Sequence, residues 1–559
     1  MIELTDLAFA HTGGRTLFSG LTLALEPGQL VLVAGGTGTG KSTLLATLNG
    51  LAPHFTGGTL AGEVRVHGRS TRHVPPRDMA DLVGYVGQNP ALGFVTSRVE
   101  SELAFGMEQR GVSPSDMRRR VEETLDLVGI ADLRDRALDS LSLGQQQRVA
   151  LGAVLTAGPR VLVLDEPTSA LDPVGAEEVL ATITRLVHDL GLTVVLAEHR
   201  LERVLPFADL VLHLPGDGTV VCGDPGDVLA GTSVAPPLLR LSEVMGWHPA
   251  PLTVRDARRR VRGAGAALPA PAGTPDVLGT PDTGRGAVVL RAAGVRVRYG
   301  PREAVRGVDL ELRAGEITAV MGRNGSGKSS LLWALQGSGH RDGGTVQVHG
   351  VDPATARSRA RSLVALVPQD VTSLLFCESV EDECATADRE AGLPTGTTSM
   401  SLDALVPGID RGAHPRDLSE GQRLALALAV MLAVPAATLL LDEPTRGLDY
   451  AAKDALVRSL RGLAASGVAI AVATHDVELA ALLVDRVVLM AEGEVVADGP
   501  ARAMLTGSPA FAPQVAKVFA PAPWMTVKDV DACRTASAAA DHVTDHVTAH
   551  VTAHNQALP

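Results

Sequence analysis

GGTGTGKST (residues 35–43) and GRNGSGKSS (residues 322–330) are the two stretches that decide the fold. Each contains the pattern GxxxxGK[ST]. Each follows an apolar, β-rich run (LVLVA at 30–34, ITAVM at 317–321) and leads into a helical pattern beginning at Thr43 or Ser330. Strand, glycine-rich loop and helix in that order are the context in which this motif carries meaning. Gly35, Gly38 and Gly40, like Gly322, Gly325 and Gly327, let backbone N–H groups turn inward around a triphosphate. The helix behind them favours an anion through its dipole and its free donors. Lys41 and Lys328 are placed to reach the β- and γ-phosphates, and Ser42 and Ser329 to ligate Mg²⁺.

Outward from these loops, the chain repeats itself. The first half carries GYVGQNP (84–90), LSLGQQQR (141–148), VLVLDEPTSALD (161–172) and VVLAEHR (194–200). The second carries ALVPQD (365–370), LSEGQR (418–423), TLLLDEPTRGLD (438–449) and IAVATHD (470–476). Lys41 to Lys328 is an offset of 287, Gly144 to Gly421 and Glu166 to Glu443 are both 277, and His199 to His475 is 276. With its P-loop, each half has five motifs in one order, which marks an internal duplication. The runs VLVLDE and TLLLDE read as buried parallel strands ending in paired acids. Asp165 and Asp442 would orient Mg²⁺ from the strand's C-terminal edge, where ligands of open α/β sheets sit. Glu166 and Glu443 would polarise the attacking water as general bases.

Composition narrows the setting. The 559 residues, 45% apolar and 20% charged, suit globular domains, and a length prior alone would allow three or four of them. The net charge of -13 weighs against a protein whose main work is neutralising nucleic-acid phosphates. Residues 1–250 hold 19 basic and 29 acidic groups, whereas 251–300 hold 9 and 3. Four scattered cysteines support neither a disulfide framework nor a cluster site, so a reducing cytoplasm is expected. The start, MIELTDLAFAHTGG, lacks the pattern of a signal peptide. The uncharged run 424–441 reaches the length of a spanning helix, but Pro435 divides it into a buried helix, a turn and a buried strand.

These motifs resemble, twice over, those of the ATP-binding cassette (ABC) ATPases, across about residues 1–235 and 287–515. The discriminating stretches are LSLGQ (141–145) and LSEGQ (418–422), similar to the family's LSGGQ signature but with Leu143 and Glu420 at its third position. The resemblance implies two α/β cassettes, each a RecA-like mixed sheet with an antiparallel β subdomain and a helical signature subdomain. It implies composite sites in which ATP and Mg²⁺ lie between the P-loop of one cassette and the signature of the other. One site would combine Lys41, Ser42, Gln88, Asp165, Glu166 and His199 with Ser419 and Gly421. Its counterpart would combine Lys328, Ser329, Gln369, Asp442, Glu443 and His475 with Ser142 and Gly144. Both glutamines would also touch the metal, both histidines the γ-phosphate, and Tyr299 would stack on adenine, with His11 the weaker platform in the first half.

Within the family, the first cassette is similar to the energy-coupling factor (ECF) ATPases through GYVGQNP, through VESELAFG (99–106) and through PLTVRDARR (251–259). That implies a peripheral, cytoplasmic energiser of an importer for a vitamin or a Co²⁺/Ni²⁺-type ion. Its partners would be an integral membrane coupling protein and a substrate-binding membrane protein, without nucleic acid. A tandem sugar-importer ATPase and a soluble factor acting on ribosomes or DNA are the alternatives. Residues 236–286 are expected as a linker and 516–559 as a low-complexity tail. The tail spaces His542, His546, His550 and His554 four apart; on a helix they could bind Co²⁺, Ni²⁺ or Zn²⁺, although Thr and Val make that helix a poor one. The basic run 255–262 reads as a solvated helix end.

Overall fold

The computed structural model describes residues 1–169, 171–263, 286–356 and 359–535. They form two compact units: Met1–Pro236 together with Arg446–Ala452, and Pro237–Thr445 together with Lys453 onward.

In the first unit, β1 (Ile2–Ala10), β2 (Thr16–Leu25), β4 (Thr59–Val66) and β5 (Arg69–Ser70) make an antiparallel sheet in the order β2-β1-β4-β5. A six-stranded sheet has the order β10-β9-β3-β8-β7-β6, from β3 (Leu30–Gly35), β6 (Val83–Val86), β7 (Val161–Asp165), β8 (Thr193–Ala197), β9 (Leu210–Leu214) and β10 (Val221–Gly223). All its pairs are parallel except β9 with β10. The strands β3, β7 and β8 are buried along their whole length, which is why they read as unbroken apolar runs rather than as alternation. Helices Val99–Glu108, Pro114–Leu127 and Leu143–Leu155 close a separate small core around Leu103, Leu125 and Val149.

The second unit repeats the plan. Strands β11 (Val288–Tyr299), β12 (Arg302–Arg313) and β14 (Gly343–Val348) form the antiparallel sheet, in the order β12-β11-β14. Strands β13 (Ile317–Met321), β15 (Val364–Val367), β16 (Thr438–Asp442), β17 (Ala469–Ala473), β18 (Arg486–Ala491) and β19 (Glu494–Pro500) form the mixed one, in the order β15-β16-β17-β13-β18-β19. The uncharged run 424–441 divides as its Pro435 requires, into helix Glu420–Leu432 and strand β16. Among the described residues no helix is long and apolar enough to cross a membrane.

Three expectations need revision. Both P-loop helices begin at the lysines, Lys41–Leu48 and Lys328–Gln336, rather than at Thr43 and Ser330. Residues 237–263, expected as linker, contain helices Pro237–Met245 and Val254–Gly263. Leu238, Leu241, Trp247 and Ala257 from this stretch share one apolar core with Val515, Phe519, Trp524 and Val530, so 516–535 is not a loose tail either. The basic run is the outer face of the second of these helices, with Arg255, Arg258, Arg259 and Arg262 exposed and Ala257 buried. The rest of the linker, from 264 to 285, and the histidine repeat at 541–554 lie outside the described residues.

Candidate functional site

In each unit the P-loop leaves the middle of the mixed sheet, where parallel strands present their C-terminal edges. Gly35 and Gly322 are required by close approach: a Cβ there would stand 2.6 Å from the Leu214 carbonyl oxygen or 2.3 Å from that of Met490. Gly40 and Gly327 cap the following helices in the left-handed region, with φ of 102° and 100° and no side-chain cap. The first N–H groups of both helices are thus left to a ligand rather than to a capping side chain. The signature helices do the opposite. Ser142 and Ser419 each close a capping box, with Gln145 and Gln422, so those N-termini are already satisfied in part by their own side chains.

Lys41 is buried, and its ammonium donates to the carbonyls of Gly35 and Gly36 at 3.0 and 2.9 Å. Lys328 donates likewise to Gly322 and Arg323 at 2.9 and 3.2 Å. Burial lowers the Lys41 pKa, against the opposing pull of Glu166, Asp449 and Asp165.

Asp165 and Asp442 end strands β7 and β16. Burial raises both carboxyl pKa values, opposed by a hydrogen bond from Ser42 to the first and from Ser329 to the second. Oδ1 of each aspartate is buried with no hydrogen-bond partner. A desolvated carboxylate oxygen beside a P-loop hydroxyl is the hard-oxygen donor set that Mg²⁺ takes, so these residues fit the ion. The next residues, Glu166 and Glu443, hold φ of 51° and 49°, a region that costs a side chain about 1–3 kcal/mol. Their N–H groups donate to Ala197 and Ala473 on the neighbouring strands at 3.0 and 2.8 Å, which fixes the bend.

The histidines come to these acids. His199 Nε2 lies 2.7 Å from Glu166 Oε1, and His475 Nδ1 lies 2.9 Å from Glu443 Oε2. Gln88 Nε2 donates to Glu166 Oε2 at 2.9 Å, which leaves its amide oxygen for a metal. Gln369 makes no such bond to Glu443; instead Lys328 Nζ stands 3.8 Å from Glu443 Oε1. Burial pushes the Glu443 carboxyl up, but His475 and Lys328 outweigh it and the net pKa is lowered. Each unit therefore gathers its Lys, Ser, Asp, Glu and His. Ser142 and Gly144, and Ser419 and Gly421, sit apart at the signature helices of their own units. Tyr299 is an exposed side chain at the end of β11, and His11 is an exposed one just after β1, edge-on to Phe9.

One residue of the first cluster went unread in the sequence. Asp449, the last of TLLLDEPTRGLD, belongs to the first unit, where its Oδ2 accepts the P-loop N–H of Thr37 at 2.7 Å and its Oδ1 accepts the N–H of Ala452 at 2.8 Å. Its place in both copies of the motif, as Asp172 and Asp449, was the available signal.

Residues 18–169 and 305–446 match the ABC transporter family. The chain belongs to that family. As an ABC ATPase it hydrolyses ATP, which it binds with Mg²⁺. A Streptomyces avermitilis protein described as an ABC transporter ATP-binding protein is 53% identical over 561 residues, covering 95% of this chain and 99% of its own length. A Methanosarcina acetivorans protein of the same description is 33% identical over 560 residues, covering 90% and 85%. Among solved structures, archaeal ribosome recycling factor aABCE1, in complex with the ribosomal stalk protein aP1, matches with a TM-score of 0.57 at 21% identity, over 90% of this chain and 91% of that one. That likeness is one of fold.

Proposed function

We propose that this ATPase energises an ABC importer of the ECF type, with two ATP sites that each draw a P-loop from one cassette and a signature from the other. The observation that carries the chemistry is the duplicated cluster, an unpartnered aspartate oxygen beside a P-loop serine and a Glu–His pair one residue away. In this reading Ser42, Asp165 and Gln88 hold one Mg²⁺, and Ser329, Asp442 and Gln369 the other. The ion, when bound, neutralises charge on the phosphates. Lys41 and Lys328 exchange their P-loop carbonyls for phosphate oxygens, and Thr43 and Ser330 offer the helix N-terminus beside them. Glu166 and Glu443 orient the attacking water, and His199 and His475 hold those carboxylates while facing the γ-phosphate. Ser419 and Gly421 complete the first site, and Ser142 and Gly144 the second. Tyr299 stacks on adenine.

Membrane partners enter through two supports. The relatives quoted above are described as transporter ATP-binding proteins. Just beyond the glutamines, large apolar side chains stand in solvent: Leu92 at 85% exposure, Val95 at 64% and Phe376 at 83%. Unpartnered apolar groups at those loops suit the cytoplasmic helices of a membrane coupling protein. ATP closure can move such a partner only through contacts that differ between open and closed states. Affinity capture from detergent-solubilised membranes is expected to recover a small multi-spanning protein. Recovery of ribosomes instead would replace the importer reading with a ribosomal one.

A further inference from the structure

The two clusters part ways where the histidine's strand ends. The first reads Ala197-Glu198-His199 and the second Ala473-Thr474-His475. Glu198 is 1% exposed, an acid in the interior of the first unit. Its Oε1 accepts the Thr168 N–H at 2.7 Å and also the Thr168 hydroxyl, and its Oε2 accepts the His199 N–H at 3.1 Å. Thr168 lies two residues past Glu166, so one carboxylate ties the loop leaving β7 to the loop leaving β8. From the next turn, Arg203 donates to the Thr168 carbonyl at 3.3 Å. Because the His199 N–H is taken, Glu166 keeps both oxygens for side chains, Oε1 for His199 and Oε2 for Gln88.

In the second unit that tie is missing. The Thr474 hydroxyl accepts the Asp476 N–H at 3.0 Å, and the hydroxyl of Thr445, in the place of Thr168, is buried without a partner. Glu443 itself takes the His475 N–H, at 3.4 Å, on the oxygen that also faces the His475 ring. A carboxylate that serves as backbone acceptor is turned away from its glutamine. Burial raises the Glu198 pKa; the Thr168 bonds and Arg203 oppose this, and the charge of Glu166 adds to it.

We propose that Glu198 is a positioning residue that frees Glu166 to hold His199 and Gln88 together, making the first cassette the faster hydrolytic centre. This rests on the reading of Glu166 as the base. The test is steady-state turnover of the full-length chain with Mg²⁺-ATP, alongside binding of a fluorescent N-methylanthraniloyl ATP. Glu198→Thr, the residue of the second copy, is expected to lower kcat about tenfold, because small misplacements of a reacting group carry rate penalties of that order, with KM and analogue affinity held within about twofold. Glu198→Gln, whose amide oxygen can still accept from Thr168, is expected to fall between wild type and Glu198→Thr. Unchanged kcat in Glu198→Thr overturns the proposal. So does an equal fall of kcat and nucleotide affinity in both variants, which marks a merely structural role. Glu166→Gln, run in parallel, separates the two ideas. If it collapses turnover while Glu198→Thr is silent, only the positioning role fails; if it is itself silent, the base assignment falls and takes the positioning role with it.

Discussion

The first cluster joins Gln88, Glu166, His199, Glu198 and Thr168 in one bonded chain, whereas in the second Glu443 answers to His475 and Lys328 and its glutamine stands off. The backbones beneath are nearly the same: both glutamates sit at φ near 50° and both are tied to the adjacent strand by their N–H. The contrast shows that a duplicated scaffold fixes where the acids emerge, while a neighbouring side chain decides which way their oxygens face.

That comparison can be broken in three places. Glu166→Gln should slow ATP turnover by about 10³-fold, the loss expected for a general base, and Glu443→Gln by clearly less, because the second cluster is the slower centre. A silent variant in a phosphate-release assay would show that the two clusters do not share a mechanism. The helical lobes differ next. Leu103 is fully buried in the first, packed so tightly on Gly152 that a Cβ there would come within 2.7 Å of it, and Cys384 occupies the matching place in the second. Leu103→Ala should cost about 3 kcal/mol in urea denaturation and Cys384→Ala about 1 kcal/mol, since the smaller side chain leaves a smaller cavity. Equal losses would mean that the two lobes are packed alike. The smallest effect concerns the glutamines. Gln88→Ala should reduce kcat roughly fivefold more than Gln369→Ala, because only Gln88 is bonded to its glutamate; a charge-assisted bond of this kind is worth about 1–3 kcal/mol.

Much of this architecture is legible in the motifs. Unbroken apolar runs ending in Asp165 and Asp442 identify buried parallel strands, and the glycine pattern places both helix N-termini to within two residues. What escapes sequence reading depends on partners far away in the chain. Leu238, Leu241 and Ala257 look like sparse apolar residues before a Pro- and Gly-rich stretch, because the surfaces that bury them, Phe519 and Trp524, come some 260–290 residues later. Glu198 escapes for another reason. A glutamate before a histidine at a strand end is ordinarily solvated, and nothing local says that Thr168 will accompany it into the interior. The facing of Glu443 away from Gln369 is a matter of rotamers, on which spacing is silent.

The shared core of Leu238 and Trp524 also sets a timetable. At about 5–20 residues per second, a ribosome needs on the order of 15–60 s to pass from one residue to the other. Throughout that interval the apolar face of helix Pro237–Met245 is made but lacks Val515, Phe519 and Trp524, which complete its core. The nascent chain thus carries an open seam until residues 514–535 have been made. Any cut that removes residues 514–535 would leave that seam open for the life of the molecule.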